Sequence, residues 1–253
     1  MTRQLSNNLD LKLEKSSAEN LVGSKIKISQ PEKGYRFSID PFILAAHVKG
    51  IKNHKVIDIG CGCGIIPLIL SLKSSVLKIT GIEIQQELYV CAKKNIITNK
   101  LENRINIIHG DIKNIDTSDT NGEADIIVSN PPYKKKGSGR LNPDSQKAIA
   151  RHEITLDIDI LFKCSKKLLK EKGKLYIIFP AQRLSDIVLT MQHYAFSPEF
   201  IRFVHTKKHS IAKRVILCAG KNSNSPCVVH PPFYIYEHEN KFSKEYFSLF
   251  KDI

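Results

Sequence analysis

The chain has 253 residues, 42% hydrophobic and 25% charged, which is room for one large α/β domain and excludes wholesale disorder. No apolar run approaches the roughly 18 residues needed to span a bilayer. The first twenty residues carry no apolar h-region, so no secretory signal and no membrane partner are expected, and the chain reads as cytoplasmic. The formal charge of +14 draws polyanions, which sets nucleic acid ahead of a merely lysine-rich surface.

In chain order, the polar opening residues read as a frayed end. Asp40 is expected to cap a short helix with Pro41 at its first position, its apolar side formed by Phe42, Ile43, Ala46 and Val48. A regular alternation follows. Strands are expected at Lys55–Gly60, Ile79–Ile84, Ile105–His109, Ala124–Ser129 and Lys174–Phe179. Helices are expected at Ile65–Lys73, Gln86–Asn99 and Leu184–His193, with a further one through Ile160, Leu161, Cys164, Leu168 and Leu169 ended by Gly173. Strands Phe200–His205 and Arg214–Ala219 close the main unit, with Phe233–Tyr236 and a short Phe242–Phe250 helix behind.

This pattern predicts an α/β fold: a doubly wound, mostly parallel, Rossmann-like sheet of seven strands, with one strand antiparallel near the C-terminus. Residues 1–50 read as an extension packed on a unit of residues 51–253, the whole forming a single domain. The cysteines at 61, 63, 91, 164, 218 and 227 make no CxxC and no Cys/His pairing at ligand spacing. No metal is therefore expected, and the thiols read as reduced.

The first expected strand runs directly into Gly60, Gly62 and Gly64. Such glycines allow a tight turn and let the backbone approach a ligand, while the helix that follows offers free N–H groups to an anion. Asp58 ends the strand with a carboxylate able to hold an ammonium, and Glu83, at the end of the next strand, suits two ribose hydroxyls. The GxGxG spacing and Asp58 fit the zwitterionic tail of S-adenosylmethionine better than a dinucleotide's pyrophosphate. Asp111, after the third strand, is placed to accept from an adenine amine; a plain solvated loop aspartate is the alternative.

The fourth strand ends in Asn130-Pro131-Pro132-Tyr133. An exocyclic amine on adenine, or an amide nitrogen, is a poor nucleophile because its lone pair is delocalised. The Asn130 side-chain oxygen and the Pro131 carbonyl can take its two hydrogens and favour a pyramidal nitrogen. The prolines fix those acceptors, and Tyr133 offers a ring for stacking, worth about 1–3 kcal/mol for a base. The segment beyond carries Lys134, Lys135, Lys136 and Arg140 before the first acid, a candidate contact for RNA phosphates. A second group, Lys163, Lys166, Lys167, Lys170, Lys172 and Lys174, reads first as a solvated face.

On YRFSIDPFILAAHV (35–48), VIDIGCGCGIIPLIL (56–70), GIEIQ (81–85), NPPY (130–133), GSGRLNPD (137–144) and ARHE (150–153), the chain resembles the bacterial tRNA(Val) adenine N6-methyltransferases. These are class I S-adenosylmethionine-dependent amino-methyltransferases that modify the adenine 3′ of the anticodon. The resemblance implies S-adenosylmethionine as cofactor and tRNA as partner. It places Asp40, Asp58, Gly60, Gly62, Gly64, Glu83, Asp111 and Asn130 at the cofactor, and Asn130, Pro131, Pro132 and Tyr133 at the target amine. It also implies that Arg151, His152 and Glu153 anchor the far end of the loop and that Phe37 closes over the cofactor beside Asp40. Alternatives are glutamine N5-methylation of a protein such as a release factor, guanine N2-methylation of rRNA, and a non-catalytic RNA-binding module. Only about fifty residues precede the first strand, too few for the helical domain of the glutamine enzymes.

Overall fold

The computed structural model describes residues 25–30, 38–50, 53–74, 78–132, 156–238 and 241–249. Strands β1 (Lys55–Ile59), β2 (Lys78–Glu83), β3 (Ile105–His109), β4 (Ala124–Ser129) and β5 (Leu169–Pro180) run parallel in the order β3-β2-β1-β4-β5. The sheet continues through β7 (Ala212–Lys221), antiparallel to its neighbours, to β6 (Phe196–His205). Two-residue strands β8 (Val228–Val229) and β9 (Phe233–Tyr234) add to β6, so that among the described residues two short strands extend the expected seven-stranded sheet.

Helices α1 (Asp40–His47), α2 (Ile65–Lys73) and α3 (Gln86–Thr98) cover one face. Their Phe42, Leu44, Leu68, Ala92 and Ile96 pack on Val56, Ile79, Val128 and Ile178. Helices α4 (Ile158–Leu168) and α5 (Leu184–His193) cover the other, where Leu161, Phe162 and Ile187 meet Ile57, Ile59, Ile127 and Ile177. Alternate residues of one strand thus enter different cores. Burial on both sides is why these strands read as near-continuous β-branched runs, each enclosed side chain contributing about 1.5–3 kcal/mol. One consequence bears on function: Asp58 shares the face of Val56 and is fully buried. Beyond the sheet lie a small hairpin, β10 (Tyr236–His238) with β11 (Lys241–Phe242), and helix α6 (Lys244–Ser248).

Several boundaries differ from expectation. Asp40 is the first residue of α1 and does not cap it; Ile39 holds the cap position, without a side-chain bond. The fourth helix stops at Leu168 because Leu169 is already extended and pairs with Ala124. The next ladder pair is Ile126 with Lys174, so the chain between bulges outward, with Lys172 at φ 61°. Gly173 belongs to that bulge and not to a helix end: a Cβ there would stand 2.8 Å from the Lys170 carbonyl. The last helix is shorter than expected, since Phe242 lies in β11.

Candidate active site

From β1 the chain moves outward to β2 and β3, and from β4 it moves outward to β5 on the other side. The carboxyl ends of β1 and β4 therefore flank a topological switch point, where sheets of this kind bind ligands. Gly60 follows one of these ends and Asn130 the other. Glu83 ends β2, and Asp111 lies just past β3. Four adjacent parallel strands thus bring their terminal residues to one edge.

The glycine loop is held by its neighbours. Gly60, Gly62 and Gly64 have φ of 73°, 57° and 83°, the left-handed region in which a side chain is strained. Among the described residues a Cβ on Gly60 or Gly62 would meet nothing within 4 Å, which leaves room on the outer side of the loop. The Gly62 N–H donates to Glu83 Oε2 and the Gln85 N–H to Oε1, each at 2.8 Å. Asn95 of α3 donates to the Cys63 carbonyl at 2.9 Å. Cys61 lies against β2 where Gly81 has no side chain; a Cβ at Gly81 would stand 2.8 Å from the Cys61 sulfur. Gly81 is a site-building residue that its own sequence position did not betray. Helix α2 then starts from Gly64 with no side-chain cap, so the positive end of its dipole can face an anion. Pro67 falls in that first turn, where a missing N–H costs least.

Two carboxylates set the electrostatics. Burial pushes Asp58 well above the usual carboxylate range, and the nearby Glu83 charge pushes it further. Glu83 is also raised by burial, although backbone N–H donors oppose this. Both Asp58 oxygens are buried without a hydrogen-bond partner among the described residues. Such a group calls for a cationic donor. An open glycine cradle beside an acid with no donor fits S-adenosylmethionine, whose ammonium can donate to Asp58 and hold it ionised, whereas a pyrophosphate offers no such donor. Burial also raises the Cys61 thiol, and pushes that of Cys63 up to about 12, so neither is a ready nucleophile.

Beyond the backbone pairing of β1 with β4, a side-chain bond ties the two halves of the site together. Ser129 Oγ, buried at the end of β4, donates to the Ile59 carbonyl at the end of β1 at 2.8 Å. The next residues are Asn130 and Gly60. Asn130 is half-buried, Pro131 buried and Pro132 exposed. Tyr133, Lys134, Lys135, Lys136, Arg140, Arg151, His152, Glu153 and Phe37 lie outside the described residues.

Two expected cofactor residues have other partners. Buried Asp40 holds the guanidinium of Arg214, on β7, at 2.9 Å. Asp111 caps a 3-10 turn by accepting from the Lys113 N–H at 3.0 Å, and its other oxygen meets the Lys113 ammonium at 2.9 Å. Three of the lysines around α4 are paired: Lys167 meets Asp116, Lys170 meets Asp125 at 2.6 Å and Lys174 meets Glu199 at 2.9 Å. No described helix is long and apolar enough to cross a membrane.

Residues 39–194 match the family model of the methyltransferase small domain. In fold the chain is similar to the crystal structure of a predicted O-methyltransferase from Agrobacterium tumefaciens. The TM-score is 0.67 over 84% of this chain and 96% of that one, at 17% identity, a likeness of fold alone. Fold and family model together define a class I methyltransferase domain, whose cofactor is S-adenosylmethionine. Among sequences, the chain is 31% identical over 213 residues to the tRNA1(Val) (adenine(37)-N6)-methyltransferase of Phocaeicola vulgatus, covering 84% of this chain and 88% of that protein. It is 35% identical over 162 residues to the protein of the same name from Porphyromonas gingivalis, an alignment that spans 63% of each chain and so less than two thirds of that relative. The chain belongs to the tRNA1(Val) (adenine(37)-N6)-methyltransferase family.

Proposed function

We infer that the protein transfers a methyl group from S-adenosylmethionine to N6 of adenine 37 in tRNA(Val), acting in the cytoplasm as a single domain that includes residues 1–50. The observation that carries this reading is the Ser129–Ile59 bond, which sets the Asn130-Pro131-Pro132 turn beside the open glycine cradle.

In this reading Gly60, Gly62 and Gly64 give the cofactor close backbone approach, and the α2 N-terminus receives its carboxylate. Asp58 faces the ammonium, directly or through water. Glu83 keeps a lone pair on each oxygen for the ribose hydroxyls, and Asp111 accepts from the adenine amine. When bound, S-adenosylmethionine supplies an electrophilic methyl on a sulfonium. The Asn130 side-chain oxygen and the Pro131 carbonyl accept the two N6 hydrogens of the target, turning its lone pair out of the ring plane. Tyr133 stacks on the flipped base, and Lys134, Lys135, Lys136 and Arg140 hold its flanking phosphates. Proximity carries the step. No general base is needed, because the methylated amine is a strong acid until it loses its proton.

The test is incubation with labelled cofactor and unmodified tRNA or, separately, release factor, followed by nucleoside and peptide mass spectrometry. N6-methyladenosine in tRNA is expected. Asn130→Ala should lose at least about a hundredfold in rate while S-adenosylhomocysteine still binds, as for removal of one transition-state hydrogen-bonding group. Methylated glutamine with unlabelled RNA would overturn the reading.

A further inference from the structure

From Phe200 to Tyr236 the chain has no Asp or Glu, yet it carries Arg202, Lys207, Lys208, Lys213, Arg214 and Lys221. Three of these cations have structural roles. Arg202 donates to the Pro231 carbonyl at 2.9 Å and meets Glu245. Arg214 is held by Asp40. Lys221 donates to the Leu169 carbonyl at 2.7 Å and meets Glu171 at 3.1 Å. The others cluster at the turn between β6 and β7, where Lys208, His209, Ile211 and Lys213 are exposed. Neither Lys208 nor Lys213 makes an ion pair with a described carboxylate, and the acid-free stretch supplies none from its own chain.

The position of this turn matters as much as its charge. Because β7 is antiparallel to both β5 and β6, β6 runs in the same direction as β1–β5. The β6–β7 turn therefore stands at the same edge of the sheet as Gly60 and Asn130. In the order β4-β5-β7-β6 it is three strands from the Asn130 strand, about 14 Å at ~4.8 Å per strand. The turn is also built to hold its shape. His205 Nδ1 bonds the Ser210 carbonyl at 2.6 Å, and Ser210 Oγ donates to the Lys207 carbonyl at 2.7 Å. The Lys207 N–H donates to Ser210 Oγ at 3.2 Å, and His209 takes φ 66° at the tip. The Tyr236 N–H ties Thr206 to the segment behind it at 2.9 Å.

We propose that Lys208 and Lys213 on this turn form a second phosphate-binding station, which holds the tRNA backbone a few nucleotides away from the adenine at the switch point. The inference rests on the functional reading above and extends it to how the RNA is held. A rigid turn loses little entropy when it docks, and paired ammonium groups suit phosphates without reading sequence. The station sets affinity and register, leaving the chemistry to the site itself.

The test is binding of the intact protein to an unmodified tRNA(Val) transcript, followed by fluorescence anisotropy across a salt series. Steady-state methylation is measured alongside. Lys208→Gln/Lys213→Gln should weaken binding about tenfold and lower the log–log salt slope by roughly 1.4–1.8, the loss of two phosphate contacts. KM for tRNA should rise with kcat within about twofold, while S-adenosylhomocysteine affinity and melting temperature stay at wild-type values. Lys166→Gln/Lys172→Gln, which removes equal charge at the opposite edge of the sheet, should leave the slope unchanged. If wild-type protein leaves tRNA unmethylated, the functional reading falls and this inference with it. If wild-type protein methylates tRNA but the turn variant keeps the wild-type slope, this inference alone is overturned.

Discussion

Asp58 is a carboxyl group fully buried at the end of β1, with no donor to either oxygen among the described residues. Its raised pKa, caused first by burial and then by Glu83, fixes the direction of a pH effect. The unfolded chain releases this proton from about pH 4, while the folded chain keeps it. The contribution to stability is therefore full below pH 4 and declines as pH rises through the folded pKa. Asp58→Asn removes the ionisable group and should raise the melting temperature of the ligand-free protein at neutral pH by about 2–4 °C, roughly 1 kcal/mol for a domain of this size. The same variant should bind S-adenosylhomocysteine at least about tenfold more weakly by calorimetry. A ligand-free protein destabilised by the change would show that the carboxylate has an ordinary structural partner. Asp58 and the glycines were legible in the sequence because strand, acid and turn are contiguous. The Arg214 partner of Asp40 was not, since it lies 174 residues away and only the folded sheet brings it near.

At the scale of elements, the glycine loop is shaped from outside itself, by Glu83 at the end of β2, Asn95 on α3 and the Ser129 bond from β4. Gly62→Ala should separate conformational strain from ligand exclusion. The left-handed backbone at Gly62 costs an alanine about 1–2 kcal/mol, visible as a modest loss in urea unfolding. The added methyl meets no atom of the described residues within 4 Å and on this reading enters ligand space. S-adenosylhomocysteine affinity should accordingly fall by more than the stability loss accounts for. Equal losses in both measurements would mean that the outer side of the loop is not where the ligand lies. The central strands were readable because burial on both faces leaves a continuous apolar signature. Strand β9 falls within the expected Phe233–Tyr236 segment, whereas β8 was not readable, since two residues cannot show a period. Gly173 imitated a helix end because it follows a lysine-rich apolar helix, whereas its actual role depends on which residue of β4 pairs with Lys174.

At the scale of the whole molecule, one buried histidine joins helix α1 to β6 and the elements behind it. His47 Nδ1 donates to the Ile43 carbonyl at 2.7 Å, so its Nε2 is left to accept from Arg202 at 3.0 Å. Arg202 lies on β6, stacks over Phe233 of β9 at 5.3 Å and meets Glu245 of α6. Burial, assisted by the Arg202 charge, lowers the His47 pKa from 6.5 to about 4. For a depressed histidine the stabilisation is present above pH 6.5 and is lost as pH falls toward 4, because the unfolded chain binds a proton that the folded chain refuses. Between pH 7 and pH 4.5 this one group should remove about 2.5 kcal/mol of stability, at 1.36 kcal/mol per pKa unit. His47→Gln has an amide that can donate to one neighbour and accept from the other, and it cannot titrate. Urea unfolding at the two pH values should show its acid-induced loss smaller than the wild-type loss by that amount. An acid limb unchanged by the substitution would mean that His47 is protonated in the folded protein and that Arg202 is held by Glu245 and Pro231 alone.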